Sequence, residues 1–204
     1  MPTQPDTIAA ISTPPGPGAI GILRLSGPRS LEIAAKTFRP LGPKALTDHA
    51  PRTLVYGDLL DEGGEPIDRC LCTFSRGPVS YTGEDTAELQ CHGSPTALAL
   101  GLDALFAAGA RQAQAGEFTR RAFLSGRLDL TQVEAVADLI HAGSAGAVYQ
   151  AAGQLGGALS QVIGQVYDRL TDLMAHFHAV LDYPDEDIDP FEAAEISTAL
   201  TDAA

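Results

Sequence analysis

Glu88 stands between Ala87 and Leu89 in a run that reads as a β-strand, and Arg24 stands between Leu23 and Leu25 in another. A carboxylate left unpaired among apolar neighbours is costly to bury, so Glu88 requires a cationic or strongly donating partner. An exposed strand face or an internal salt bridge would also satisfy it, and the residue types alone leave that choice open. Three further cations, Arg120, Arg121 and Arg127, surround a helix-like stretch with apolar Phe118, Ala122 and Phe123. Guanidinium groups suit carboxylate recognition, because their planar fork offers paired donors. The stretches holding Glu88 and these arginines, residues 81–93 and 115–130, are too polar and too glycine-punctuated to be core, yet too patterned to be idle loops.

Other patterns resemble sites without the context that would make them so. Gly16-Pro-Gly-Ala-Ile-Gly21 fits G-x-G-x-x-G, but a strand-like run follows where a dinucleotide site needs a helix, and no acidic residue stands at the expected distance of about 20 residues. Asp185, Asp187 and Asp189 copy the first ligands of an EF-hand loop, yet Pro190 replaces its turn glycine and Ile196 occupies the bidentate position. A solvated acidic linker is the better reading. Cys70 and Cys72 are spaced to share one strand face, closer than zinc ligand pairs usually are, and with Cys91 they are read as reduced, small hydrophobic residues. His92, before a glycine, reads as structural, and His176 and His178 lie too close along a helix to face one metal together.

The elements that must position the ionisable residues follow from periodicity and punctuation. Residues 6–12 and 19–25 read as strands flanking a Pro- and Gly-rich loop, 29–38 as a helix, 52–60 and 67–74 as a hairpin turning at Gly63-Gly64, and 86–92 as a further strand. Residues 95–108 read as a helix closed by Gly109 in a left-handed cap. From Glu117 onward Ala, Leu, Gln and Val recur with helical spacing, which places a domain boundary near Phe118. Thr131 with Glu134 reads as a capping box opening a helix to about residue 141. Residues 144–181 carry one long apolar stripe, with Gly153, Gly156, Gly157 and Gly164 inside it, and 191–203 read as a last helix without a stop signal. The expected fold class is α+β, with a mixed α/β domain over residues 1–118 and an all-α helical-bundle segment over 119–204.

The formal net charge is −13, and no Lys or Arg follows Arg169. Nucleic-acid affinity comes largely from cations that displace phosphate counterions, so RNA held by this chain alone is not expected. No run reaches the roughly 18 to 20 apolar residues of a membrane span, and no basic segment precedes an apolar one at the N-terminus. The expected address is the cytoplasm.

Eight stretches, in order, carry a resemblance: Asp6-Thr-Ile, Thr13-Pro-Pro-Gly, Gly21-Ile-Leu-Arg-Leu-Ser-Gly27, Tyr81-Thr-Gly-Glu-Asp-Thr, Gly116-Glu-Phe-Thr, Arg121-Ala-Phe-Leu, Leu128-Asp-Leu and Asp182-Tyr-Pro-Asp-Glu-Asp-Ile-Asp189. Together they resemble the tRNA-modification GTPases of the MnmE (TrmE) family over nearly the whole chain. The resemblance implies a folate-binding N-terminal domain, similar to that of the glycine-cleavage T-protein, which also mediates homodimerisation. It implies that the first part of a discontinuous helical domain follows. In the family a Ras-like GTPase domain, using GTP, Mg and K, is inserted into that helical domain. No G-x-x-x-x-G-K-[ST] loop occurs in these 204 residues, so the chain reads as an N-terminal fragment that is not expected to hydrolyse GTP.

The family's folate ligands fall on Arg24, Glu88 and Arg127. A reduced pterin presents an amino group and a ring N–H side by side, which one carboxylate accepts together, so the resemblance makes Glu88 the pterin reader. Arg24 or Arg127 would pair the tail carboxylates. Many family members have Lys at the position of Arg127, which keeps the charge and changes the donor geometry. The cofactor implied is a reduced folate, 5-formyltetrahydrofolate or 5,10-methylenetetrahydrofolate. The partners implied are a second copy of the chain, the flavoprotein MnmG (GidA) and, through that complex, tRNA, whose wobble uridine is modified at C5. Two other readings are a free-standing folate-dependent one-carbon transferase and a non-enzymatic helical dimerisation module whose Arg and Glu residues form structural salt bridges. No catalytic residue and no metal ligand is assigned.

Overall fold

The computed structural model describes residues 6–183, which divide into two compact units meeting between Leu128 and Asp129. The acidic 185–189 stretch and the helix expected at 191–203 lie outside the described residues. The division falls later than the compositional boundary near Phe118, because the helix-like composition begins before the sheet unit has ended.

The first unit runs β1 (Ile8–Ile11), β2 (Gly18–Ser26), α1 (Ser30–Thr37), β3 (Phe38–Pro40), a 3-10 turn (Leu46–Asp48), β4 (Val55–Leu60), β5 (Pro66–Ser75), β6 (Thr86–Gly93), α2 (Pro95–Ala107), β7 (Arg111–Gln112) and α3 (Glu117–Leu124). Among the described residues one sheet forms, in the order β3-β4-β5-β6-β2-β1-β7. Its pairs are antiparallel except β1 with β7. The strands expected at 6–12, 19–25, 52–60, 67–74 and 86–92 correspond to β1, β2, β4, β5 and β6. The helix expected over 29–38 is shorter, since Phe38 leaves it to open β3. Neither β3 nor β7 is long enough to display a period of two, which is why pattern reading does not find them.

Alternation along the strands gives the sheet two unlike faces. Leu23, Leu25, Leu59, Phe74, Ala87 and Leu89 point to a face covered by α1 and α2, where Ile33 and Leu105 are also buried. Each such side chain contributes about 1.5–3 kcal/mol of burial. Helix α2 starts at Ser94, whose hydroxyl accepts from the Ala97 amide, with Pro95 in the first turn. It lies so near the sheet that a Cβ on Gly21 would meet Leu98 Cδ1 at 2.3 Å and one on Gly101 would meet Leu23 Cδ1 at 2.7 Å. Gly21, the last glycine of the G-x-G-x-x-G pattern, thus serves helix–sheet packing. Cys70, Cys72 and Cys91 are buried on this covered face. Burial pushes the Cys72 thiol up, and neighbouring Cys70 together with burial does the same to Cys91, so both stay protonated.

The opposite face is open. Ile22, Arg24, Leu71, Thr73, Glu88 and Gln90 are only half-buried there, and Ile20 and Tyr56 are exposed.

The second unit contains α4 (Leu130–His141), α5 (Ala145–Leu155) and α6 (Ala158–Asp182). The capping box of α4 is formed by Asp129 and Gln132, not by Thr131 and Glu134. Asp129 Oδ1 accepts from the Gln132 amide at 2.9 Å while Gln132 Oε1 accepts from the Asp129 amide at 3.0 Å. Thr131, already in the first turn, donates to Asp129 at 2.7 Å instead. The single stripe over 144–181 is two helices. Gly157 takes φ 87°, a left-handed conformation that ends α5 and opens α6. Gln132 Nε2 donates to the Leu155 carbonyl at this break, 2.9 Å away.

Candidate functional site

Arg24 and Glu88 are direct cross-strand partners in the β2–β6 register, with Thr73 opposite Glu88 on β5. Sheet geometry therefore brings together two residues 64 positions apart in the chain. Arg24 Nε donates to Glu88 Oε1 at 2.7 Å, and the side chains keep 31% and 28% of their surface exposed. Among the described residues neither the second Glu88 oxygen nor the terminal Arg24 nitrogens make another hydrogen bond. The carboxylate can still accept, and the guanidinium can still donate.

Two aromatic rings flank the pair. The Arg24 guanidinium carbon lies 5.9 Å from the Tyr81 ring centre and 5.8 Å from that of Phe118, near the outer reach of a cation–π contact. Tyr81 comes from the turn before β6 and Phe118 from α3, and Tyr81 Oη lies 3.1 Å from Thr119 Oγ1. The cluster offers a carboxylate, a guanidinium and two ring faces, a donor set that fits a planar, hydrogen-bonding heterocycle.

Arg127 joins through the same turn. Helix α3 ends in a pair of reversed bonds, Gly126 N to Phe123 O at 2.9 Å and Arg127 N to Ala122 O at 2.8 Å, with Gly126 at φ 72°. This cap sets where Arg127 leaves the helix. An added Cβ on Gly83 would meet Ser125 Oγ at 2.6 Å and Arg127 Cγ at 3.2 Å, so the Arg127 stem passes directly over the turn. Its side chain is in no ion pair among the described residues, whereas Arg121 points inward and Arg120 lies 3.8 Å from Glu117.

Ionic contacts, more than apolar packing, hold α3 in place. Its buried residues are Ala122 and Glu117, and an alanine methyl contributes only about 0.8 kcal/mol. Glu117, 1% exposed, accepts from Arg111 at 2.6 and 2.9 Å and from Arg121 at 3.0 Å. Arg121 also donates to Asp6 Oδ1 at 2.6 Å and to both Glu84 oxygens at 3.1 Å, while Asp6 bonds Arg111 as well. Charged hydrogen bonds of this kind are worth about 1.5–3 kcal/mol each. The Arg111 bonds hold the Glu117 carboxyl down at about 2, and the same pairs hold the Arg111 guanidinium above its ordinary range.

The residue types and the family resemblance point to Arg24, Glu88 and Arg127 as ligands and to Arg120 and Arg121 as further cations, but they give Tyr81 and Phe118 no ligand role and do not join Arg121 to Asp6, Glu84, Arg111 and Glu117. The signal present was the density of hydrogen-bonding residues in the 81–86 and 116–121 stretches. What was missing was any way to pair them at long range. His92, read as structural, bonds Asp68 through Nδ1 at 2.8 Å and through its backbone amide at 2.7 Å. A separate hollow of about 440 Å³ beside β3 and β4, lined by residues such as Pro40, Leu41, Leu54 and Tyr56, offers Lys44 as its one cation among the described lining residues.

Comparison with known proteins gives concordant matches. Residues 7–127 match the family model described as the GTP-binding protein TrmE N-terminus, and residues 130–204 match the MnmE helical domain. The tRNA modification GTPase MnmE of Symbiobacterium thermophilum is 46% identical over 192 residues, which are 94% of this chain and 42% of that protein. That of Thermus thermophilus is 48% identical over 189 residues, 92% of this chain and 43% of its own. That of Clostridioides difficile is 45% identical over 184 residues, covering 90% and 40%. The chain thus spans about two fifths of the length of the curated relatives it matches.

Proposed function

Because the chain belongs to the MnmE (TrmE) family of tRNA modification GTPases and carries its N-terminal and helical domains, we propose that its sheet unit binds a reduced folate as a one-carbon donor. The observation that carries this reading is the Arg24–Glu88 pair, half-exposed between Tyr81 and Phe118 with hydrogen-bonding capacity to spare. Glu88 accepts the amino group and adjacent ring N–H of the pterin. Arg24 orients the carboxylate through Nε, and Arg127, whose side chain is in no ion pair among the described residues, is the cation proposed for the tail carboxylates. Tyr81 and Phe118 supply apolar faces for the ring. Bound 5-formyl- or 5,10-methylenetetrahydrofolate would supply the one-carbon unit.

Within a full-length protein the site serves C5 modification of the wobble uridine of tRNA, together with the flavoprotein MnmG, while GTP, Mg and K belong to a GTPase domain outside these residues. Leaving tRNA affinity mostly to the partner agrees with a net charge of −13. No helix among the described residues is long and apolar enough to cross a membrane, and the cytoplasm is the proposed address. Homodimerisation is proposed through the open sheet face, where Ile20 and Tyr56 are 65% and 55% exposed. A chain that sediments as a strict monomer at tens of micromolar counts against that interface.

Calorimetric titration with 5-formyltetrahydrofolate tests the folate reading. Binding is expected in the wild type and lost in Glu88→Gln and Arg24→Ala. Absence of heat instead supports the reading of a dimerisation module in which the 2.7 Å Arg24–Glu88 contact is a structural salt bridge, and undiminished binding in both variants defeats the assignment of the folate site to this pair.

A further inference from the structure

We propose that Glu84 and Arg121 are positioning residues that set Tyr81 and Arg127 over the Arg24–Glu88 pair, an inference that rests on the folate reading above. The candidate ligand groups stand on three separately supported pieces of chain. Arg24 and Glu88 are fixed by sheet register. Tyr81 rides on the turn before β6, and Phe118 and Arg127 ride on α3 and its cap. Nothing in the sheet ladder ties the second and third pieces to the first.

Tyr81, Thr82 and Asp85 each make ties of their own, and Glu84 is the side chain of the turn that reaches both β2 and α3. Its Oε2 accepts from Ser26 Oγ at 2.7 Å, and Ser26, fully buried on β2 two residues after Arg24, also bonds Thr82 Oγ1 at 2.6 Å. Both Glu84 oxygens accept from Arg121 Nη1 at 3.1 Å, which anchors α3. On the far side of the turn Ser125 Oγ donates to the Thr82 carbonyl at 2.6 Å, beside Gly83 and the Arg127 stem. The turn is thereby clamped between β2 and α3. Arg121 adds the Asp6 carboxylate and carbonyl, at 2.6 and 3.0 Å, so a third segment is drawn into the same knot. Neither Glu84 nor Arg121 is needed to hold the Arg24–Glu88 pair, which the register supplies. Loosening the clamp should therefore subtract what Arg127 contributes, with a smaller part from Tyr81, and leave what Glu88 contributes.

The test is a double-mutant cycle on the full chain, with Glu84→Ala, Arg127→Ala and the pair, titrated with 5-formyltetrahydrofolate and with a tail-less tetrahydropterin. Glu84→Ala should weaken folate about tenfold, the 1.4 kcal/mol scale of one charged hydrogen bond, and tetrahydropterin, which feels only the loss of Tyr81 placement, by no more than about threefold. Arg127→Ala should then cost little more in the Glu84→Ala background. Glu84→Gln, which keeps an acceptor for Ser26, should recover part of the loss. Equal weakening of both ligands, or independent costs of the two substitutions, overturns the proposal. If the wild type binds neither ligand, the folate reading fails, and amide hydrogen exchange decides the clamp without a ligand. Faster exchange confined to residues 81–83 and 125–127 in Glu84→Ala supports it, and unchanged exchange there overturns it.

Discussion

The two units solve the same problem of burial in opposite ways. In the sheet unit one face closes an apolar core, while Ile20 and Tyr56 on the other face stay exposed. Leu23, Leu25, Leu59, Leu89 and Leu105 are 0% exposed, and the short helix that lacks apolar anchors is tied down by charge. In the helical unit α6 buries no residue, and Val162, Ile163, Tyr167, Met174 and Leu181 are 52–72% exposed. Its fixed points are polar and small: the Asp129 cap with Ser160 at 2.6 Å, Gln132 on the Leu155 carbonyl, and buried Ala135 and Ala151. A sheet with covering helices can close a core by itself. A few helices that are amphipathic all along their length present apolar surface until something else covers it.

That contrast can be broken most directly in the core. Leu89→Ala should destabilise the sheet unit by about 2–5 kcal/mol, measured by urea unfolding. Glu117→Gln comes next, with a loss of about 2 kcal/mol, and it sharpens the claim that charge replaces apolar packing in α3. The sign follows from linkage. The folded carboxyl sits at about 2 against an ordinary 4.5, so its contribution is whole above about pH 5 and drains away as pH falls from 4.5 through 2. Unfolding followed between pH 6 and about 2.5 should show this slope in the wild type and a reduced one in Glu117→Gln. A parallel slope in both proteins would remove Glu117 from the account.

Gly126→Ala should cost about 1 kcal/mol, because φ 72° is a left-handed conformation. It should weaken 5-formyltetrahydrofolate binding as well, since the cap sets the exit of Arg127. The smallest effect is expected at Val162→Ala, about 0.5 kcal/mol or less, because that side chain is 58% exposed. A cost there matching that of Leu89→Ala would mean that α6 is covered in solution and would erase the contrast between the units.

Much of the sheet unit was legible in advance, since period-two runs and glycine punctuation mark β2, β4, β5 and β6 directly. Arg24 and Glu88 were legible too, each as a charge embedded in an apolar strand, and Arg127 came with the family resemblance. The capping box of α4 was misread by two residues because Thr131 and Asp129 both offer a capping oxygen, and only the backbone geometry chooses between them. The break at Gly157 was hidden because an apolar stripe continues across it at helical spacing.

Periodicity and desolvation act locally, so the longer strands, most of the helical stretches, the family and the charged residues that are costly to leave unpaired are readable from the sequence. Tertiary structure alone decided the pairings. It set Glu88 against Arg24 and not against Arg121, and it drew Asp6, Glu84, Arg111 and Glu117 into one network around α3. An ion pair is a statement about distance in space, and residues 115 positions apart, as Asp6 and Arg121 are, acquire a distance only when sheet register and the helix cap have placed them.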